Sequence, residues 1–258
     1  MILTVDVGNT NVVLGCVENG EVISRSRLAT KASDLPNDYA LKMRQSFEFD
    51  GVDYTKFEGA ILSSVVPQVN RAIRAAVRKL TGLECVMVGA GIKTGVNVKI
   101  DDPGTLAGDL ITGAVGALSI YEPPLIIIDM GTATTMVVVD KDGAYIGGAI
   151  IPGVNLSYDA LSQGTSLLPS ISIEAPKKCI ATNTVDSMKS GAVFGTAAML
   201  DGMIDRMEDE LGQSATVVAT GGLSGSVIKY CRHEIMHEPD LLLKGLAILY
   251  QKNARKAR

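Results

Sequence analysis

Hydrophobic and polar positions alternate along this chain in blocks that read as a run of strands and helices. Ile2–Val7 is almost wholly apolar, the pattern of a strand buried on both faces. After a turn at Gly8, a second strand spans Asn11–Val17. Asn19-Gly20 is a strong hairpin signal that returns the chain as a third strand, Glu21–Leu28. Pro36–Phe47 has helical spacing. Gly59–Ser63 is a short buried strand, and Pro67–Leu80 is a helix with proline in its first turn and basic residues on its outer face. Glu84–Val88 reads as a strand. Leu106–Tyr121 is a helix rich in alanine and glycine, suited to close packing on a neighbour.

The pattern then begins again. Leu125–Asp129 is an apolar strand, Thr134–Asp140 a second, and Asp142-Gly143 a hairpin turn before Ala144–Ile150. With Asp6 laid on Asp129, the two stretches match without a gap: Gly8 falls on Gly131, Asn9 on Thr132 and Gly20 on Gly143. Any two hairpins share some punctuation, but here the aspartates and glycines coincide as well, which marks an internal repeat. Further on come Asn155–Leu161, a loop with Pro169 and Pro176, and a long helix from about Val185 to Leu211. A strand, Ala215–Ala219, runs into Thr220-Gly221-Gly222, and two helices follow, Ser224–Tyr230 and Asp240–Ala254. The chain is expected to be an α/β protein of two duplicated lobes, 1–121 and 122–258, each a mixed sheet flanked by helices. The break falls near Tyr121–Pro124, inside continuous structure.

Composition narrows the function classes. Hydrophobic residues make up 47% of the 258 and charged residues 20%, enough to bury a large core. Tryptophan is absent and aromatics are 4%, which argues against stacking platforms for single-stranded nucleic acid. The formal net charge of -4 argues against a broad phosphate-backbone footprint, so no nucleic-acid partner is expected. The basic tail Lys252–Arg258 reads as a solvated helix end. Cys16, Cys85, Cys179 and Cys231 form no CxxC pair, so neither a zinc site nor a redox motif is indicated. The opening MILTVDVGNT has no basic region ahead of an apolar one, as a signal peptide would. No apolar run reaches about 18 residues, so no membrane span is expected and the cytoplasm is the default location.

The two Asp-x-Gly turns carry the candidate chemistry. Gly8 lets the backbone turn tightly and approach a ligand. Backbone N–H groups and the Asn9, Thr10 and Asn11 side chains can donate to phosphate oxygens. An aspartate beside a triphosphate repels it unless a divalent cation intervenes, so Asp6 suits Mg²⁺, directly or through water. The stretch from Asp129 to Thr135 offers a second loop of the same kind, and Thr220-Gly221-Gly222 a third turn after a late strand. The bland alternative is a pair of polar turns capped by aspartate. A phosphoryl-transfer enzyme also needs a base near the acceptor hydroxyl. His233 and His237 lie in a polar stretch and read as surface residues. Asp101, Asp102 and Asp109 are the other candidates, and Asp109 reads equally well as a first-turn helix acid. There is no GxSxG, Walker P-loop or GxGxxG.

Taken in order, Asp6-Val7-Gly8-Asn9-Thr10-Asn11, Pro103 through Asp109, Asp129-Met130-Gly131-Thr132-Ala133-Thr134-Thr135, Gly147 through Gly153, Asn183-Thr184 and Thr220-Gly221-Gly222 resemble the type III pantothenate kinase family over essentially the whole chain. The first loop alone resembles many actin-like ATPases. The resemblance implies ribonuclease H-like lobes and phosphorylation of the pantothenate hydroxyl, the first step of coenzyme A biosynthesis. It also implies a homodimer with its active site at the subunit interface. It implies that Asp6, Val7, Gly8, Asn9, Thr10, Asn11, Val12, Val13 and Thr132 bind ATP, with Mg²⁺ near Asp6. By the same resemblance Asp129 binds a monovalent cation, K⁺ or NH4⁺, and Asp109 is the catalytic base. Ala107, Gly108, Asp109 and Leu110 lie at the acceptor, and Thr184 contacts pantothenate from the partner subunit.

Two departures fall on the acceptor side. Leu110 stands where the family usually has an arginine that helps hold the pantothenate carboxylate, and leucine forms no bidentate charged pair. Ile100 stands near the family's usual aromatic. Lys93, Lys99 or Lys189 are the cations available to compensate. A kinase with a different hydroxylated acceptor, or a nucleotide-binding regulatory protein without catalysis, are the alternative readings.

Overall fold

The computed structural model describes residues 1–254. The chain divides into two compact units. The first contains Met1–Val96, Asp101–Ile120 and, among the described residues, 240–254, and the second contains Asn97–Ile100 and Tyr121–Pro239. The expected halves, 1–121 and 122–258, are contiguous stretches, whereas these units are not. The division at residue 120 falls where the repeat restarts, but the last helix returns to the first unit.

The first unit holds a sheet of β1 (Ile2–Val7), β2 (Asn11–Glu18), β3 (Glu21–Ala29), β4 (Gly59–Ser64) and β5 (Cys85–Met87), in the order β3-β2-β1-β4-β5. β1 pairs antiparallel with β2 and parallel with β4. The apolar runs in β1 and β4 are buried on both faces, whereas β3 alternates as a half-exposed edge. α1 (Pro36–Phe49) and α2 (Pro67–Thr81) cover one face, around Leu3, Val5, Tyr39, Met43, Phe47 and Ile73. α2 starts at a proline and ends at Gly82, whose φ of 72° closes the helix in the left-handed region. α3 (Gly108–Leu118) packs on the last helix of the chain. At Gly116 a Cβ would fall 2.6 Å from the Leu241 carbonyl oxygen, so the glycines foreseen in this segment do set a close helix approach.

The second unit repeats the plan with β6 (Leu125–Met130), β7 (Ala133–Val139), β8 (Tyr145–Pro152), β9 (Thr216–Thr220) and β10 (Met236–His237), in the order β10-β9-β6-β7-β8. β6 is antiparallel to β7 and parallel to β9. α4 (Val154–Gln163), α5 (Thr184–Ser190), α6 (Thr196–Leu211) and α7 (Ser224–Val227) complete it. The single long helix read from Val185 to Leu211 is interrupted by a π turn at Gly191–Gly195. β10 escaped the sequence reading because two residues carry no periodicity. The last helix, α8 (Leu241–Asn253), belongs to the first unit.

The repeat is ungapped in sequence but not in register. In the first unit Val7 pairs with Val12, leaving Gly8–Asn11 to turn; in the second Met130 pairs with Thr134, leaving only Gly131–Ala133. The hairpin beyond compensates. Val17 pairs with Val22 across four residues in the first unit, whereas Val139 pairs with Tyr145 across five in the second. β7 has therefore slid by one residue, which exchanges its two faces. Thr134 lies on Asn11 in the sequence match but takes the place of buried Val12 in the sheet. It is 1% exposed, and its Oγ1 has no hydrogen-bond partner among the described residues.

Of the basic tail Lys252–Arg258, residues 255–258 lie outside the described residues. Lys252 is not freely solvated: its Nζ donates to the Thr94 carbonyl at 2.9 Å.

Candidate active site

Asp6 is the penultimate residue of β1, so its backbone is fixed by β2 on one side and β4 on the other. In the turn that follows, the Gly8 N–H donates to the Asn11 carbonyl at 2.9 Å. Thr30 holds the loop from behind: its N–H donates to the Thr10 carbonyl at 3.0 Å and its hydroxyl to the Gly8 carbonyl at 2.7 Å. Asn9, Thr10 and Asn11 are exposed, as a ligand-facing loop requires. Val7 and Val12 have buried side chains in the core, so any contact they make with a ligand is through backbone.

The parallel register sets Asp6 beside Ser63 on one face of the sheet. A Cβ on Gly108 would lie 3.0 Å from Ser63 Oγ and 3.2 Å from a Val88 methyl, so α3 starts in close contact with the end of β4. Asp109 is the next residue. Asp6, Ser63 and Asp109 thus belong to neighbouring positions of one unit, at the carboxyl ends of β1 and β4. Burial raises the Asp109 pKa, and the Leu110 N–H, donating to Asp109 Oδ1 at 2.8 Å, only partly offsets this. Ser63 Oγ is fully buried and has no partner among the described residues. Sequence reasoning passed over both Ser63 and Thr30. Neither belongs to a motif, and their roles arise from register across the sheet. Ala107 precedes α3 as its N-cap, and Leu110 is half-buried on its first turn.

The competing carboxylates separate here. Asp102 is exposed and caps a short 3-10 turn, accepting from the Gly104 N–H at 3.0 Å. Asp101 is exposed. Neither histidine has the buried, poised setting of a base. His233 Nε2 lies 2.8 Å from Asp205 Oδ1, and His237 is exposed on β10.

Asp129 occupies the equivalent position on β6, with Thr220 its register partner on β9. In the shorter loop the Gly131 N–H donates to the Ala133 carbonyl at 3.0 Å, and the Gly153 N–H to the Thr132 carbonyl at 3.1 Å. Thr132 is exposed. Gly221 has a φ of 92°, and a Cβ there would fall 2.5 Å from Asp129 Oδ1. Only glycine fits so close to this carboxylate. Thr184 is exposed at the start of α5, beneath an Asn183 cap that accepts from the Asp186 N–H at 2.9 Å. Lys99 pairs with Asp140 at 3.0 Å and Lys189 with Glu174, whereas no ion pair among the described residues engages Lys93.

Among the described residues no three His, Cys, Asp or Glu side chains converge on one point. Asp6 and Asp129 are the carboxylates of the two loops that could each take part in holding a cation.

The sequence model of the type III pantothenate kinase family matches residues 2–206. A type III pantothenate kinase of Bacillus cytotoxicus is 37% identical over 254 residues, covering 98% of this chain and 97% of the relative. One from Halalkalibacterium halodurans is 38% identical over 253 residues, covering 98% and 100%. Among solved structures, component A of (R)-2-hydroxyglutaryl-CoA dehydratase from Acidaminococcus fermentans matches all of this chain and 99% of its own, with a TM-score of 0.57 at 16% identity. The activator of 2-hydroxyisocaproyl-CoA dehydratase from Clostridium difficile, solved with bound ADPNP, matches 99% and 96% with a TM-score of 0.56 at 14% identity. These two share the fold, the duplicated actin-like ATPase architecture. On the extent of the family match and the near-complete coverage of both kinases, the chain belongs to the type III pantothenate kinase family.

Proposed function

We propose that this protein transfers the γ-phosphoryl group of ATP to the hydroxyl of pantothenate, giving 4'-phosphopantothenate and ADP, the first step of coenzyme A biosynthesis. The observation that carries the reading is the setting of Asp109. Its carboxylate is oriented by the Leu110 N–H, its pKa is raised by burial, and its helix starts against the strand that carries Ser63 beside Asp6. A base whose affinity for protons is raised toward the working pH takes the acceptor proton more effectively. In this reading Asp109 removes the hydroxyl proton while the acceptor oxygen attacks the γ-phosphorus. The backbone and side chains from Asp6 to Val13, together with Thr132, hold ATP. Asp6 holds Mg²⁺, which neutralises charge on the phosphates when bound, and Asp129 holds K⁺ or NH4⁺.

A homodimer completes the acceptor site in this reading, with Thr184 reaching pantothenate from the partner. The apolar side chains left exposed on β8, α4 and α5 support it: Ile150, Leu156 and Val185 are 75%, 51% and 41% exposed. Assay of the purified protein with ATP, Mg²⁺, K⁺ and pantothenate tests the reaction. Phosphopantothenate formation that Asp109→Asn abolishes is the expected result, and no product at high substrate overturns it. Leu110 motivates a second reading, a different hydroxylated acceptor without a carboxylate. A panel of hydroxy acids and amides decides it, and clear preference for pantothenate removes it.

A further inference from the structure

His237 and Ser224 form a lock on the Gly221 turn. The Ser224 hydroxyl lies 2.7 Å from the Gly221 carbonyl oxygen and 3.0 Å from His237 Nε2. A hydroxyl has one proton. It goes to the carbonyl, which can only accept, so Ser224 accepts from His237 and Nε2 carries the hydrogen. The Ser224 N–H bonds to the same Gly221 carbonyl at 3.3 Å. Ser224 is fully buried, whereas His237 is exposed.

The sheet explains why the histidine is there. β10 pairs parallel to β9, placing His237 opposite Ala219, and the Glu238 N–H donates to the Ala219 carbonyl at 2.9 Å. The ring lies along the backbone of Gly225, where a Cβ would fall 3.1 Å from its Cε1. On the other edge of β9, Thr220 pairs with Asp129. The Gly221 turn is therefore gripped from the β10 side by Ser224 and His237, and it bears on Asp129 from the β6 side. A glycine at φ 92° has easy access to other backbone conformations, so its peptide is the soft point of this arrangement. Fixing its carbonyl limits rotation about the Gly221 Cα, the atom whose Cβ direction points at the carboxylate.

We propose that His237 is a positioning residue for the nucleotide and monovalent-cation end of the site, acting through Ser224 and the Gly221 peptide. It rests on the reading that Asp129 and its surrounding turns hold the cation and part of ATP. Because His237 is exposed, replacing it removes a hydrogen bond without opening the core. The test uses the full chain and three measurements: binding of a non-hydrolysable ATP analogue by calorimetry, half-activation by K⁺, and separate KM and kcat values for ATP. His237→Ala is expected to weaken analogue binding and K⁺ activation about three- to tenfold, with kcat at saturation little changed, as for the loss of one hydrogen bond. His237→Gln, which keeps a donor at similar reach, restores most of the loss. Ser224→Ala reproduces the defect, and the double variant adds little to it. Unchanged analogue affinity in His237→Ala, or a His237→Gln variant as weak as His237→Ala, overturns the inference. A wild-type chain that binds no ATP analogue overturns both this inference and the nucleotide reading.

Discussion

Asp109 shows how one residue's setting decides its chemistry. Its carboxylate sits part-buried on the first turn of α3 with a pKa raised by that burial. As the proposed base it works only when ionised, so kcat/KM should fall on the acid side with a midpoint above the ordinary aspartate value of about 3.9. Its effect on stability has the opposite sign. A carboxyl whose folded pKa is raised stabilises the fold while protonated, and that contribution is lost as pH rises through the folded pKa. At neutral pH the charge is a cost. Asp109→Asn should therefore lower kcat by at least about a hundredfold while leaving the melting temperature unchanged or higher. An inactive variant that also melts lower would mean that Asp109 supports the fold instead. Asp109 was one of three candidate acids that only the family resemblance separated, and Asp6 and Gly8 were legible in the chain because the Asp-x-Gly turn recurs. Ser63 and Thr30 were not. Each is an ordinary hydroxyl until the sheet brings Ser63 beside Asp6 and Thr30 behind Gly8.

At the scale of elements, the slipped register of β7 separates two loops that look alike in sequence. The first turn has one residue more than the second, and so one peptide N–H more. The second turn is shorter and is braced by Gly153 and Gly221. The slip also leaves the Thr134 hydroxyl buried without a partner among the described residues. Thr134→Val, nearly the same shape without the hydroxyl, should raise stability by about 1 kcal/mol, read as a shift in denaturation midpoint at constant slope. A loss of stability would show that the hydroxyl is satisfied. None of this was visible in the pattern, because a turn one residue shorter followed by a hairpin one residue longer leaves the alignment intact. The strands themselves were legible, their apolar runs being long enough to show their burial.

For the whole chain, the duplication was legible because its aspartates, glycines and hairpins recur in order. The assignment of α8 was not, since a helix near the end of a sequence carries no mark of the sheet it covers. Assembly belongs to this scale too. If the exposed apolar side chains of β8 and α4 meet a second copy, sedimentation should show a dimer for the wild type, and Ile150→Asp should shift it toward monomer with loss of turnover. A wild-type monomer would contradict that assembly.

The return of α8 to the first unit has a further consequence, for synthesis. Leu241 and Leu243 on this helix pack against Gly116 and Gly15, and Gly245 against Thr112. A ribosome makes β1 through α3 long before it makes the helix that covers them. The amino-terminal sheet must therefore wait, one apolar face bare, while the second unit is completed at Pro239. A released chain ending at Pro239 should resist protease across 121–239 and be cut within 1–120, with protection there arriving only in a chain that carries α8. Protection of 1–120 in the shorter chain would show that the first sheet can close without it.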